Sequence, residues 1–280
     1  MSEPLSRSVV VALGEYDTGW HEPSASVARA CSVIASAAAA GADLVVLPEM
    51  CATGFTMESE RWAEPVHGTS ATALAAAART NGVHVLAGLA TTRSSSRFNS
   101  ALLFDPAGAI VAAYDKQRRF AYANEDLAYS TGVGGAIATV RGVRFGLFIC
   151  YDLRSPEIFR AVGPSVDAFA LVANWPSSRQ EHWSTLLRAR AIENQACMIA
   201  VNRRGIGGGL HYDGGSQAFD AWGRDLSRRH TEDGIALVAV HSAEVTRIRS
   251  EYRFSEDARS TPPTVGAFAP TWMSVEAHRD

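Results

Sequence analysis

Apolar residues in this chain fall into short runs, separated by turn residues and by stretches of helical period. Nine runs predict strands: 8–14, 43–49, 83–90, 100–105, 109–115, 143–152, 167–175, 196–202 and 235–241. Between them lie three helical patterns. Residues 24–40 open at Ser24 or Ser26, place Val27, Cys31, Ile34 and Ala38 on one face and stop at Gly41. Residues 69–80 are rich in alanine and end before Asn81-Gly82, and 179–195 form the third pattern. Strands apolar on both faces, alternating with helices, predict an α/β domain whose helices cover a sheet. "DPAG" at 105–108 predicts a hairpin turn, so the sheet should be mixed. Without linker or repeat, residues 1–280 are expected to form one domain, with an irregular tail from about residue 255.

Composition narrows the classes. A net charge of −3 over 280 residues gives no basic surface for nucleic acid. No apolar run reaches the ~18–20 residues of a membrane span, and the first residues lack a signal-peptide pattern, so a cytoplasmic protein is expected. Cys31, Cys51, Cys150 and Cys197 are unclustered; Cys31, Cys51 and Cys197 are expected to pack. The eight histidines show no ligand spacing, so neither a metal nor an organic cofactor is expected. The glycine-rich stretch 205–215 has no phosphate-loop lysine and is expected to be a flexible loop.

The candidate chemistry sits where strands end. Glu49 follows one apolar run, Lys116 follows another, and Cys150 falls near the end of a third. Taken singly, such a cysteine packs, such a glutamate caps a helix and such a lysine faces water. Lys116, however, is the only lysine in the chain, against 25 arginines. A site that needed positive charge alone would have been expected to carry arginine; lysine is a compact ammonium with a tunable pKa. Together the three make a chemical set. A thiolate attacks a carbonyl or nitrile carbon, a glutamate takes the thiol proton and later activates water, and an ammonium stabilises the charge that develops on oxygen.

"LPEM" with Glu49, "YDK" with Lys116 and "CYDLRSPE" with Cys150 resemble, in order and spacing, the motifs of the nitrilase superfamily of carbon–nitrogen hydrolases. The resemblance runs from about residue 8 to 245 and implies a four-layer α-β-β-α sandwich, commonly a homodimer. It places the family's Glu–Lys–Cys triad on Glu49, Lys116 and Cys150, and a supporting glutamate on Glu125 in "NEDLAYSTG". It also implies that the backbone N–H of Tyr151 joins Lys116 in holding the oxyanion, and that Asn174 and Trp175 of "ANWP" line the pocket.

"PEMCATGFTM", "ANWPSSRQEHWSTLLRARAIENQ" and "GGSQAFDAWG" resemble the omega-amidase branch, which hydrolyses terminal amides such as that of 2-oxoglutaramate. Nitrilases proper generally carry Cys-Trp-Glu; Cys150-Tyr151-Asp152 favours amides. Relatives commonly read Lys-x-His-Leu-Phe, whereas this chain has Lys116-Gln117-Arg118-Arg119-Phe120. A substrate carboxylate needs a cation, and one or more of Arg118, Arg119, Arg203 and Arg204, on expected loops, is expected to supply it, Arg118 being counted among the substrate-binding residues. Arg154 is expected to be a structural ion-pair partner. An N-carbamoyl amino acid stays open as substrate, and a non-catalytic binding member of the family as the rival class.

Overall fold

A computed structural model describes residues 7–227, 235–254, 256 and 257. β1 (Ser8–Leu13), β2 (Leu44–Val46), the short β3 (Glu64–Pro65), β4 (His84–Arg93), β5 (Ser96–Phe104) and β6 (Ile110–Asp115) form one mixed sheet. A last strand, β14 (Ala236–His241), closes it in the order β14-β1-β2-β4-β5-β6, with β3 against β4. β7 (Ala136–Val140), β8 (Val143–Ile149), β9 (Ala168–Ala173), β10 (Cys197–Asn202) and β13 (Gln217–Phe219) form a second sheet, ordered β13-β10-β9-β8-β7. β11 (Arg204–Gly207) and β12 (Leu210–Asp213) make a separate hairpin.

The period of two along a strand sorts the side chains of the first sheet. Val9, Val11, Leu44, Val46, Leu86 and Leu103 face one core, while Ala12, Val45, Val85 and Leu102 face another. The second core contains α1 (Pro23–Ala39) through Val27, Ala30 and Ile34, and α3 (Thr69–Asn81) through Leu74 and Ala78. The first continues through the second sheet to α5 (Pro156–Val162) and α6 (Gln180–Asn194), by way of Phe159, Trp183 and Leu187. The layers therefore run helices, sheet, sheet, helices. α2 (Ser59–Trp62), α4 (Glu125–Ala128) and α7 (Ser242–Glu251) are further helices.

All nine expected strands and three expected helices appear, with differences of physical interest. β8 stops at Ile149, because Cys150 turns to φ 44° and opens a 3-10 turn, Cys150–Arg154. β6 is an edge strand, half exposed rather than buried on both faces. β7 was not apparent in the sequence; it joins β8 through Arg141-Gly142, both at positive φ, as a two-residue hairpin requires. The stretch 205–215 is an ordered hairpin turning at Gly208-Gly209, not a flexible loop. The expected tail from about residue 255 lies, apart from Glu256 and Asp257, outside the described residues. Among the described residues no helix is long and apolar enough to cross a membrane.

Candidate active site

β5 runs antiparallel to both β4 and β6, so β2, β4 and β6 point the same way and Glu49 and Lys116 emerge at one end of the first sheet. Cys150 and Asn174 follow β8 and β9 of the second sheet. Glu49 reaches its place because its backbone crosses directly over Gly88 of β4, where any side chain would collide with it. Lys116 is tied at the end of β6 by its N–H, which donates to the Asn99 carbonyl at 2.9 Å.

The ammonium of Lys116 is 1% exposed. Its Nζ donates to Glu49 Oε1 at 2.9 Å and to Glu125 Oε1 and Oε2 at 3.0 and 2.9 Å. Both glutamates are fully buried. Glu49 Oε2 accepts the Asn174 N–H at 2.8 Å, while the Asn174 amide donates back to the Glu49 carbonyl at 2.6 Å. Glu125 Oε2 accepts the Phe120 N–H at 2.6 Å. Burial by itself pulls Lys116 down; the charges of Glu125 and Glu49 outweigh it and hold the ammonium above its ordinary range.

Cys150 sits beside this cluster with Sγ 3.7 Å from the Asn174 carbonyl. Burial first, and then the charge of Glu49, push its thiol well up, against the opposing pull of Lys116. Both of these favour the neutral thiol over the thiolate. Asp152 ties the elbow: its carboxylate accepts the N–H groups of Ile149 and Arg118 and the Tyr114 hydroxyl, at 3.0, 2.9 and 2.8 Å. Burial outweighs these donors and raises its carboxyl to about 6.

Cys150 and Lys116 line a cavity of about 610 Å³. Trp20, Phe55, Phe120, Tyr151, Trp175 and Tyr212 give it aromatic walls, and Asn174 also lines it. Its two arginines are Arg154 and Arg179. Arg154 stands 4.8 Å over the Trp175 ring and meets His182 Nδ1 at 3.1 Å; Arg179 stands 5.4 Å from the Phe120 ring. Neither has a carboxylate partner among the described residues, so the expected structural ion pair of Arg154 is not formed there.

Four arginines considered for the substrate carboxylate are placed elsewhere. Arg118 is not part of the cavity lining: its exposed guanidinium holds Glu157 at 2.8 Å, because the chain after β6 turns outward where its N–H meets Asp152. Arg119 donates to the carbonyls of Asp126 and Tyr129. Arg203 is fully buried and spent on Asp17 and on the carbonyls of Gly19, Arg204 and Ile206. Arg204 pairs with Glu15. The sequence reading also missed Asn99, whose only signal was an amide just before the apolar run 100–105, and Tyr212 on the glycine-rich hairpin. Among the described residues, no three His, Cys, Asp or Glu side chains converge as a metal site.

Residues 10–250 match the model of the carbon–nitrogen hydrolase family, and the chain belongs to that family. A 2-oxoglutaramate amidase of Bacillus subtilis is 32% identical over 248 residues, 88% of this chain and 95% of its own. An omega-amidase of Escherichia coli K12 is 36% identical over 214 residues, 76% of this chain and 81% of its own. A solved CN-hydrolase superfamily protein of Xanthomonas campestris superposes with a TM-score of 0.83 at 31% identity, covering 89% of this chain and 97% of that one. The fold is thus that of the nitrilase superfamily, and the protein is a carbon–nitrogen hydrolase.

Proposed function

We propose that this enzyme hydrolyses the terminal amide of a small carboxylate-bearing substrate of the 2-oxoglutaramate type, giving the acid and ammonia through a thioester on Cys150. Supporting the reaction is the buried cluster of Glu49, Lys116 and Glu125 against a neutral, buried thiol. Supporting the substrate class is the observation that carries the reading furthest: two arginines without carboxylate partners among the described residues, in a cavity with aromatic walls that also holds Cys150. The similarity to a 2-oxoglutaramate amidase and an omega-amidase points the same way.

In this mechanism Glu49 takes the thiol proton as sulfur attacks the amide carbon, so charge never rests on an isolated buried thiolate. Lys116 and the Tyr151 N–H hold the oxyanion. Glu49 returns its proton to the leaving nitrogen, ammonia departs, and Glu49 then deprotonates the water that attacks the thioester carbon; the C–S bond breaks, the acid leaves, and Glu49 passes that proton to the Cys150 sulfur. Glu125 keeps Lys116 in place, Asn174 fixes Glu49, and Trp175 with Arg154 forms the carboxylate end of the pocket. Arg154 replaces Arg118 in that role. The active unit is a single carbon–nitrogen hydrolase domain, working as a homodimer in the cytoplasm.

The test is ammonia release from ω-amides with and without an α-carboxylate, N-carbamoyl amino acids, nitriles and simple aliphatic amides. Carboxylate-bearing ω-amides are expected to lead, and Arg154→Met should cost about 1.5–3 kcal/mol in kcat/KM for them alone. Equal turnover of amides lacking a carboxylate would refute the substrate class.

A further inference from the structure

Asn99 lies on β5, 1% exposed, and touches every member of the buried ion cluster. Its Nδ2 donates to Glu49 Oε1 at 2.6 Å and to Glu125 Oε1 at 2.8 Å. Its backbone carbonyl accepts the Lys116 N–H. Both amide hydrogens are thus committed to carboxylates, whereas Oδ1 is buried without a hydrogen-bond partner. A buried amide with an orphaned oxygen carries a desolvation cost with no return at that atom, so its usefulness here rests on the –NH₂ group.

The cluster needs such a donor. Two carboxylates face one ammonium, leaving an uncompensated negative charge when all three are ionised. A neutral donor shared between the carboxylates lowers that cost without adding a cation that would compete for the thiolate or the oxyanion. We infer that Asn99 is a positioning residue that holds Glu49 and Glu125 together around Lys116, and so keeps Glu49 placed to accept the thiol proton. This inference rests on the amidase mechanism proposed above.

Other groups around the cluster do not substitute for it. Cys150, Tyr129 and Tyr212 carry protons that burial holds on them. Asp152 adds further negative potential near Lys116, and Asp115, beside Lys116 in sequence, is already paired with Arg93.

The test compares Asn99→Leu, which removes both donors at similar volume, with Asn99→Asp, which keeps the shape and replaces the amide by a carboxyl. The readouts are the pH profile of kcat/KM, the pH profile of Cys150 alkylation by iodoacetamide mapped by peptide mass spectrometry, and thermal unfolding. In Asn99→Leu the acid limb of both profiles should move up by about one pH unit, the size of a lost charge-assisted bond. In Asn99→Asp the slope should reverse: the introduced carboxyl still donates while protonated, whereas its ionisation adds a third carboxylate, so reactivity falls as pH rises. A pH-independent loss in both variants, or wild-type profiles in both, would overturn the inference. If Asn99→Leu does not fold, the isosteric Asn99→Asp decides alone. The alkylation profile needs no substrate. Shifted alkylation with no ammonia release from any amide, even by the wild type, would leave Asn99 in its role and remove the substrate assignment.

Discussion

Lys116→Met removes a charge while keeping a flexible apolar stem of similar length. The magnitude follows from the cage. The ammonium is buried, meets three carboxylate oxygens at 2.9–3.0 Å and lies 5.2 Å from the centre of the Phe55 ring. Breaking a buried ion pair by deleting one partner costs about 3–5 kcal/mol, because the other charge is left uncompensated. Here two carboxylates are left, so the upper part of that range applies at pH 8. For a chain of this size that is a fall in Tm on the order of 10 °C. The pH dependence has a definite sign. In the wild type the folded-state pKa of Lys116 is raised, so its stabilisation is complete below the unfolded value and is lost only in strong alkali. It therefore adds no slope between pH 5 and 8. In the variant, one of the two crowded carboxylates takes up a proton on folding. That contribution is present at low pH and lost as pH rises, so the deficit should shrink toward pH 5. The double variant Lys116→Met/Glu125→Gln removes the second charge and should recover most of the stability. It should recover none of the activity, since the ammonium is still missing; losing one oxyanion donor costs ~10²–10³-fold in kcat. Urea unfolding at pH 5 and pH 8, with ammonia release at pH 8, measures all of this. A single variant as stable as the wild type at pH 8, or a double variant no more stable than the single, would refute the account of a charge cluster.

Cys150→Ala should abolish turnover with little change in unfolding midpoint, since thiol to methyl is a small packing loss, and Cys150→Ser should be nearly inactive because a hydroxyl ionises far less readily; full activity in either would remove the thioester mechanism. Asp152, raised to about 6 in the fold against an ordinary value of 3.8, stabilises the folded state when protonated. Its contribution is complete below about pH 4 and lost as pH rises through about 6, so the stability gap between wild type and Asp152→Asn should narrow by roughly 2–3 kcal/mol over that window in urea titrations; a gap that stays constant would contradict this.

The layers of the fold were legible because the first sheet's strands alternate strictly. Odd and even positions of "SVVVAL" and "DLVVL" go to different cores, and both cores are apolar. The positions of Glu49, Lys116 and Cys150 were legible for a related reason: each stands where an apolar run gives way to polar residues. What escaped depends on contacts between distant segments or on backbone states that residue type does not announce. "VRFGLFICYD" is apolar without a break through Cys150, and cysteine gives no sign of the left-handed φ that ends β8 there. Arg118 is adjacent in sequence to the cluster, yet one turn of chain carries its side chain outward, while Arg154 and Arg179, far away in sequence, line the cavity. Asn99 reads as one polar residue before a strand until Glu49 and Glu125, 50 and 26 residues away, close on it.

The single lysine among 25 arginines finds its reason in the same geometry. One nitrogen reaches three oxygens on two carboxylates that come from different parts of the chain: Glu49 after β2 and Glu125 at the start of α4. A tetrahedral ammonium sends its hydrogens in three directions from a point. A guanidinium spreads five hydrogens in one plane, suited to a single carboxylate held side by side. Arginine could satisfy Glu125 with two parallel bonds, but its plane would then place the remaining donors away from Glu49, and its width would press on the Phe55 ring. Where one partner of the pair is buried, arginine is used for one carboxylate or a set of carbonyls: Arg144 on Asp167, and Arg203 on Asp17 and the carbonyls around it. Arg247 does reach two carboxylates, Glu244 and Glu251, but on the exposed face of α7, where its width meets no packing. The choice of cation thus tracks the number and arrangement of acceptors together with burial, and a buried site that must bring two acids to one point takes lysine.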